Sequence, residues 1–382
     1  MEILPKTSNF ASRYPTIFRM ASNAQYQISR IIPGFDLLRF PLIVGVVIIH
    51  CNYLQYLEPP LAGPDTSVFV SFHTIFKRYI LDLCVPAFFA ISGYLFFREG
   101  PGMSWSGYKS KLKRRVKTLL VPYLMWNFIG FILFLIKHRP VDIDIIRLLT
   151  GFICRLPGDP FPYDFPMWFI RNLIIIDVCA PLVSVMLRLL KGAAPLLPFI
   201  LCVAVPMFSP GIDPLVVLPN SLYFTLGATL ACFGRKLLVA RSWPAVSVGY
   251  LAGCAACISG IGYTSPLIAD TLYLITSIFG VLSMLSLGII IADGGRRKIP
   301  RFLAGSTFFL YGFHGLFCVI TCKSVTKMIK PINNTLCFTD YFLIFFIIFT
   351  ISILAYAVLR RLSPGFMPLL TGSRSRSSAS HV

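Results

Sequence analysis

The stretch FDLLRFPLIVGVVIIHCN, residues 35–52, is long and apolar enough to cross a lipid bilayer. It nevertheless carries Asp36 and Arg39 near its start and His50 near its end. A membrane helix needs none of these side chains to insert, and an ionisable group inside a span costs roughly 2.5–3.5 kcal/mol on insertion scales. The stretch therefore predicts a membrane helix whose polar groups serve a purpose other than insertion.

The composition of the whole chain also indicates a membrane protein. Its 382 residues are 56% hydrophobic and only 13% charged, and the mean hydropathy is +0.76. Apolar segments of about 20 residues recur along it, which is the length of a membrane-spanning helix. We expect an all-α polytopic membrane protein, a single bundle of about ten transmembrane helices. The predicted spans are residues 36–57, 79–97, 118–137, 167–187, 195–209, 215–234, 243–263, 267–291, 302–322 and 339–359.

The basic residues predict how this bundle is oriented. The net charge is +20, but Lys and Arg collect in cytoplasmic loops of membrane proteins, so we predict no nucleic-acid partner. With the N-terminus in the cytoplasm, the predicted loops hold 24 basic residues inside and 9 outside. Omitting one span would reverse all later loops and spoil this bias. We therefore expect both termini to be cytoplasmic, with an N-terminal segment at 1–35, a membrane domain at 36–361 and a polar tail at 362–382.

The polar residues of the first helix share one face. Arg39 and His50 are eleven residues apart, which is almost three helical turns and about 16 Å along the axis. Asp36 precedes Arg39 by three residues and can pair with it, and Tyr53 follows His50 by three. Taken alone, Arg39 could mark only the cytoplasmic helix end and His50 could be a buried core histidine, but their common face favours a shared site.

Five segments in order give the chain a family resemblance. Arg39, ten intervening residues and His50 on a first membrane helix resemble the signature of the acyltransferase-3 family of integral membrane acyltransferases. Four later stretches resemble blocks of the same family in the same order: VPAFFAISGYLFF (Val85–Phe97), KLKRRVKTLLVPYLMW (Lys111–Trp126), MWFIRNLIIIDVCAPLV (Met167–Val183) and STFFLYGFHGLF (Ser306–Phe317).

This resemblance implies an activity and a location. The family transfers an acyl group, usually acetyl, to sugars or related acceptors at bacterial surfaces. It implies a multi-pass protein of the bacterial cytoplasmic (inner) membrane, with residues 36–361 as the acyltransferase domain. Acyl-CoA (acetyl-CoA) would be the co-substrate, a saccharide or glycolipid the acceptor, and no cofactor would be bound permanently. We predict no metal site, because Cys254 and Cys257 form a C-x-x-C spacing without further Cys or His nearby.

Roles for the reactants follow from the residue chemistry. Acyl transfer to a hydroxyl needs a base, and we favour His50 for it, while a role as transient acyl carrier stays open. We predict His50 and Arg39 as the catalytic residues, and Arg39 could reach the phosphates of coenzyme A or a pantetheine entering the bundle. The basic run with Arg114, Arg115 and Lys117 suits the same phosphates. The run could also serve orientation alone. Lys117 stands where the family often has a second Arg, so a planar fork is lost there.

The acceptor would meet polar and aromatic residues in two other regions. Asp164 and Trp168, before and at the start of the fourth span, suit a sugar, although an interfacial aromatic belt is an alternative. His314, three residues after Tyr311, is expected to line the same cavity, or else to be a satisfied buried histidine. Asp36 and Tyr53 complete the predicted substrate-binding set. The rival hypotheses are a transporter or flippase of a glycan or lipid-linked sugar, and a catalytically idle scaffold.

Overall fold

The computed structural model describes residues 15–51, 64–137, 149–153, 161–208, 217–238, 242–260, 265–293 and 299–372, and within these ranges it contains helices and turns but no strand. We number the helices in chain order: α1 Pro15–His50, α2 Ser67–Tyr79, α3 Cys84–Phe97, α4 Trp105–Arg115, α5 Val121–Lys137, α6 Trp168–Val178, α7 Ala180–Leu190, α8 Leu196–Phe208, α9 Val217–Cys232, α10 Trp243–Ile258, α11 Pro266–Asp293, α12 Arg301–Ile329, α13 Asn334–Leu362 and α14 Met367–Thr371.

The helices confirm an all-α polytopic membrane protein. Within the described ranges six segments are long and apolar enough to span a membrane, and the bent pair α6–α7 would be a seventh. The other three predicted spans fall on the shorter apolar helices Leu196–Pro206, Val217–Cys232 and Trp243–Ile258. The total of ten crossings and the cytoplasmic position of both termini stay predictions. So do the domain boundaries, although α1 begins at Pro15, within the predicted N-terminal segment.

The sequence explains the bend between α6 and α7. These helices meet at an angle of 60° around Cys179. Pro181, in the first turn of α7, has no N–H group to continue the helical hydrogen bonding of α6. At the same break the N–H of Leu182 donates to the carbonyl of Cys179, and the carbonyl of Val178 accepts from the Tyr108 hydroxyl at 2.7 Å. A broken helix inside an apolar environment needs such a substitute partner.

Two glycines allow a close helix crossing. A Cβ atom at Gly93 of α3 would overlap the backbone carbonyl of Phe224, and one at Gly227 of α9 would overlap that of Ala90. Small residues at such positions allow two membrane helices to touch backbone to backbone. This contact joins α3 to α9, while α1 packs against α3, α11 and α12. The end of α1 is thereby held inside the bundle.

Candidate active site

The last turn of α1 is anchored by side chains of two other helices. The final carbonyls of a helix have no partners within the helix. Here the Tyr341 hydroxyl of α13 donates to the carbonyl of Ile48 at 3.3 Å. The Cys318 thiol of α12 donates to the carbonyl of His50 at 2.9 Å. These bonds fix the backbone that carries the His50 imidazole.

The imidazole of His50 is paired with a second histidine. Nε2 of His314 lies 3.1 Å from Nδ1 of His50, and Nδ1 of His314 lies 3.0 Å from the carbonyl oxygen of Leu310. A carbonyl can only accept, so His314 carries its proton on Nδ1 and its Nε2 accepts. With both rings neutral, His50 therefore donates from Nδ1 and keeps the lone pair on Nε2. The pair thus leaves His50 with one nitrogen that can take up a proton.

His50 lines a cavity of about 430 Å³. The other residues around it include Asp82, Trp168 and Asp270. Asp82 directly precedes α3, Trp168 begins α6 and Asp270 lies near the start of α11. The cavity is therefore at the end of the bundle where α1 ends and these three helices begin. Its volume falls within the range of roughly 300–1,000 Å³ typical of small-molecule sites.

The structure brings three predicted residues together at this end. His50 and Trp168 both line the cavity. His314 is fully buried and is hydrogen-bonded to His50, so it supports the cavity wall from behind. The edge of the Phe165 ring packs against His50, with ring centroids 4.9 Å apart. His314 is not among the residues that line the cavity; it is buried and bonded to Leu310 and His50, as the alternative of a satisfied buried histidine predicts, and the roles of both histidines remain to be tested.

The other polar end of the membrane span Ile31–His50 within α1 looks different. Nη1 of Arg39 donates to Oδ1 of Asp36 at 2.6 Å, with 44% and 55% of the two side chains exposed. The predicted pairing of these residues is confirmed. Neither is among the residues that surround the His50 cavity. Arg39 and His50 are eleven positions apart, about 16 Å along a straight helix axis, and Pro41 lies between them.

The basic segment divides into paired and exposed side chains. Nε of Arg115 lies 3.0 Å from Oδ2 of Asp177, whose side chain is 1% exposed. Arg115 thus neutralises a buried carboxylate, and any donor phosphate would have to share it. Arg114 and Lys117 are exposed and face no such partner among the ion pairs of the described residues. Of the predicted donor-binding set, these two are the ones open to a ligand.

Asp164 lies apart from the cavity. Its side chain is 1% exposed and lies against Gly315, the residue after His314. Its backbone N–H donates to the Asn127 side chain at 3.1 Å, and within the described ranges its carboxyl oxygens have no hydrogen-bond donor. Burial raises the pKa of this carboxyl well above its usual range. Tyr53, another member of the predicted substrate-binding set, lies outside the described residues.

The cavity also contains residues that the sequence prediction did not include. Asp82 and Asp270 face it, and neither belongs to one of the motifs quoted above. One signal was present: each is a carboxylate inside or beside an apolar segment, in ILDLCVPAFF and SPLIADTLYL. Ionisable residues in such places usually face a cavity or a polar partner.

Comparison with known proteins shows the family of the chain. No solved structure matches the chain. The chain is 24% identical over 360 residues to the succinoglycan biosynthesis protein ExoH of Rhizobium meliloti (strain 1021), an alignment that covers 89% of this chain and 92% of that protein. The acyltransferase-3 family model, described as an acyltransferase domain, matches residues 32–360 and so includes both ends of the first membrane helix and the paired histidines. The chain therefore belongs to the acyltransferase-3 family and is a multi-pass membrane acyltransferase.

Proposed function

We propose that this enzyme moves an acyl group, acetyl in the first instance, from acyl-CoA to a hydroxyl group of a saccharide or glycolipid in the bacterial cytoplasmic membrane. Membership of the family supports acyl transfer. A relative named for succinoglycan biosynthesis supports a saccharide acceptor. The observation that carries the proposal is the His50 imidazole, which lines a cavity while His314 occupies its Nδ1.

In the proposed reaction His50 acts as the general base. Its Nε2 takes the proton of the acceptor hydroxyl as that oxygen attacks the thioester carbonyl carbon. The carbon–sulfur bond of the tetrahedral intermediate then breaks, and the coenzyme A thiolate leaves with the proton from Nε2. His314 holds the ring so that Nε2 points to the reacting oxygen, and a positioned base of this kind contributes about 10²–10⁴-fold in rate.

The donor would bind toward the opposite end of the bundle. Arg39 lies there on α1, and the basic run with Arg114 and Lys117 adds further cations. The bias of loop charges predicts the cytoplasmic side for these residues, where acyl-CoA is made. Guanidinium and ammonium groups are the usual ligands of phosphate groups. The thioester would then extend along α1 toward His50.

The test uses the full-length protein purified into lipid nanodiscs. It is supplied with acetyl-CoA that carries a radioactive acetyl group, and with the glycans extracted from a strain that lacks the gene. We expect label to enter the glycans as an ester that mild alkali releases. A protein that moves glycans across a bilayer but transfers no label from acetyl-CoA or succinyl-CoA would overturn the proposal in favour of a flippase.

A further inference from the structure

Two carboxylates and two aromatic rings line the cavity together with His50. Asp82 and Asp270 contribute the carboxylates, and Trp168 and Tyr273 contribute the rings. These residues come from three separate helical elements, Asp270 and Tyr273 both lying on α11, so the fold and not a local motif brings them together. No role in the reaction derived above uses any of the four.

The carboxylates differ in how firmly they are held. Oδ2 of Asp82 lies 3.1 Å from Nζ of Lys77, and 28% of the Asp82 side chain is exposed. Asp270 is exposed in the first turns of α11. An ionised carboxylate is an acceptor only, so both side chains can take hydrogen bonds from hydroxyl groups. Asp82 is positioned in advance by Lys77, whereas Asp270 has to be ordered by its ligand.

The charges of the cavity disfavour the phosphate groups of the donor, of which only the thioester end has to reach His50. These phosphate groups would be repelled by two carboxylates. Two cations next to the cavity residues are both engaged: Lys77 pairs with Asp82, and the Arg78 guanidinium stacks on the Tyr273 ring at 4.1 Å from its centroid. An acidic sugar would meet the same repulsion. A neutral ligand with several hydroxyl groups and an apolar face fits this lining best.

We propose that Asp82 and Asp270 bind the hydroxyl groups of an uncharged sugar unit of the acceptor, with its apolar face against Trp168 and Tyr273. This inference rests on the proposed function and adds the residues that recognise the acceptor. It places the sugar in the cavity that His50 lines. A hydroxyl of the sugar held there is the one presented to the imidazole.

The experiment measures acceptor saturation in the asparagine variants Asp82→Asn, Asp270→Asn and the double variant. Full-length protein in nanodiscs receives labelled acetyl-CoA and a dilution series of the glycan extract from the gene-deletion strain. Asp65→Asn is the matched control, because Asp65 is an exposed carboxylate in the helical turn just before α2 and does not line the cavity. Apparent KM for acetyl-CoA is measured on the same preparations.

We expect each single variant to need about tenfold more glycan for half-maximal transfer, since each loses a hydrogen bond to a charged acceptor. The double variant should need still more. The KM for acetyl-CoA and the behaviour of Asp65→Asn should stay at wild-type values. Unchanged glycan saturation in the double variant, with wild-type transfer intact, would overturn this inference and leave the proposed function standing. Absence of transfer in the wild type would overturn both.

Discussion

The two polar ends of the membrane span Ile31–His50 within α1 are built in opposite ways. At one end His50 is anchored through its backbone by Cys318, paired through its ring with His314 and set against a cavity. At the other end Arg39 is bonded to Asp36 on its own helix, and both side chains are about half exposed. One helix thus carries a rigid polar group and an adaptable one.

This contrast is what a transfer reaction across a membrane requires. The reacting group must be held in place before the substrate arrives, because a displacement of about 1 Å can cost 10²-fold in rate. The group that captures a long, flexible donor gains from exposure and freedom to move. We therefore assign chemistry to the His50 end and donor capture to the Arg39 end, and the predictions below separate the two.

The largest effect is expected for His50→Gln. Glutamine can hydrogen-bond but cannot take up the proton, so transfer per folded molecule should fall about 10²–10⁴-fold. His73→Gln is the matched control, because His73 is another buried histidine, 5% exposed, and it does not line the cavity. Near-normal turnover in His50→Gln would show that the histidine is structural.

A smaller loss is expected when the support of His50 is removed. His314→Leu cannot accept the Nδ1 proton of His50, so the ring loses its orientation and turnover should fall about 10²-fold. His314→Gln places a carbonyl oxygen within reach of that proton and should restore most of the activity. Single-turnover rates of the two variants provide the measurement. Equal rates in both would mean that His314 contributes packing alone.

At the other end of the helix, Arg39→Gln should change donor use. We expect the KM for acetyl-CoA to rise about tenfold through loss of a charge-assisted contact to phosphate, with glycan saturation unchanged. Asp36→Asn keeps a hydrogen-bonding partner for Arg39 and should change the KM for acetyl-CoA less than about twofold. A reversed pattern, with glycan saturation altered and donor saturation normal, would refute the assignment of this end.

The smallest kinetic effect is expected in the basic run. Replacing exposed Arg114 and Lys117 together by Gln should raise the KM for acetyl-CoA about threefold, because exposed charges are screened by solvent and salt.

Arg115→Gln should instead lower the yield of folded protein, since it leaves the buried Asp177 carboxylate without its partner. The yield of folded protein in detergent and the KM for acetyl-CoA are measured for this variant and for the double variant. Normal folding of Arg115→Gln would contradict the structural role.

The sequence was sufficient for what depends on local pattern. Apolar segments of the right length predicted the helices, and the eleven-residue spacing predicted that Arg39 and His50 lie on one helix. The pairing of Asp36 with Arg39 followed from their three-residue spacing and is seen in the structure. Each of these features is decided by residues close together in the chain.

The remainder of the site depends on contacts between distant residues. His50 and His314 are 264 positions apart, and a single sequence contains nothing that pairs them. The basic run likewise gave no sign that Arg115 pairs with Asp177 while its neighbours Arg114 and Lys117 stay exposed. Asp82 and Asp270 were visible as carboxylates near apolar segments, but only the packing of their helices directs them at His50.

The assignment of two substrates to the two ends of the membrane span Ile31–His50 is tested most directly with sealed vesicles. Inside-out and right-side-out membrane vesicles, both containing the wild-type protein and unacylated glycan, receive labelled acetyl-CoA, which does not cross the bilayer, in the outer solution only. We predict that inside-out vesicles acylate the glycan, and that right-side-out vesicles do so only after detergent opens them. Equal transfer by intact right-side-out vesicles would contradict the account, because the donor would then enter from the His50 end.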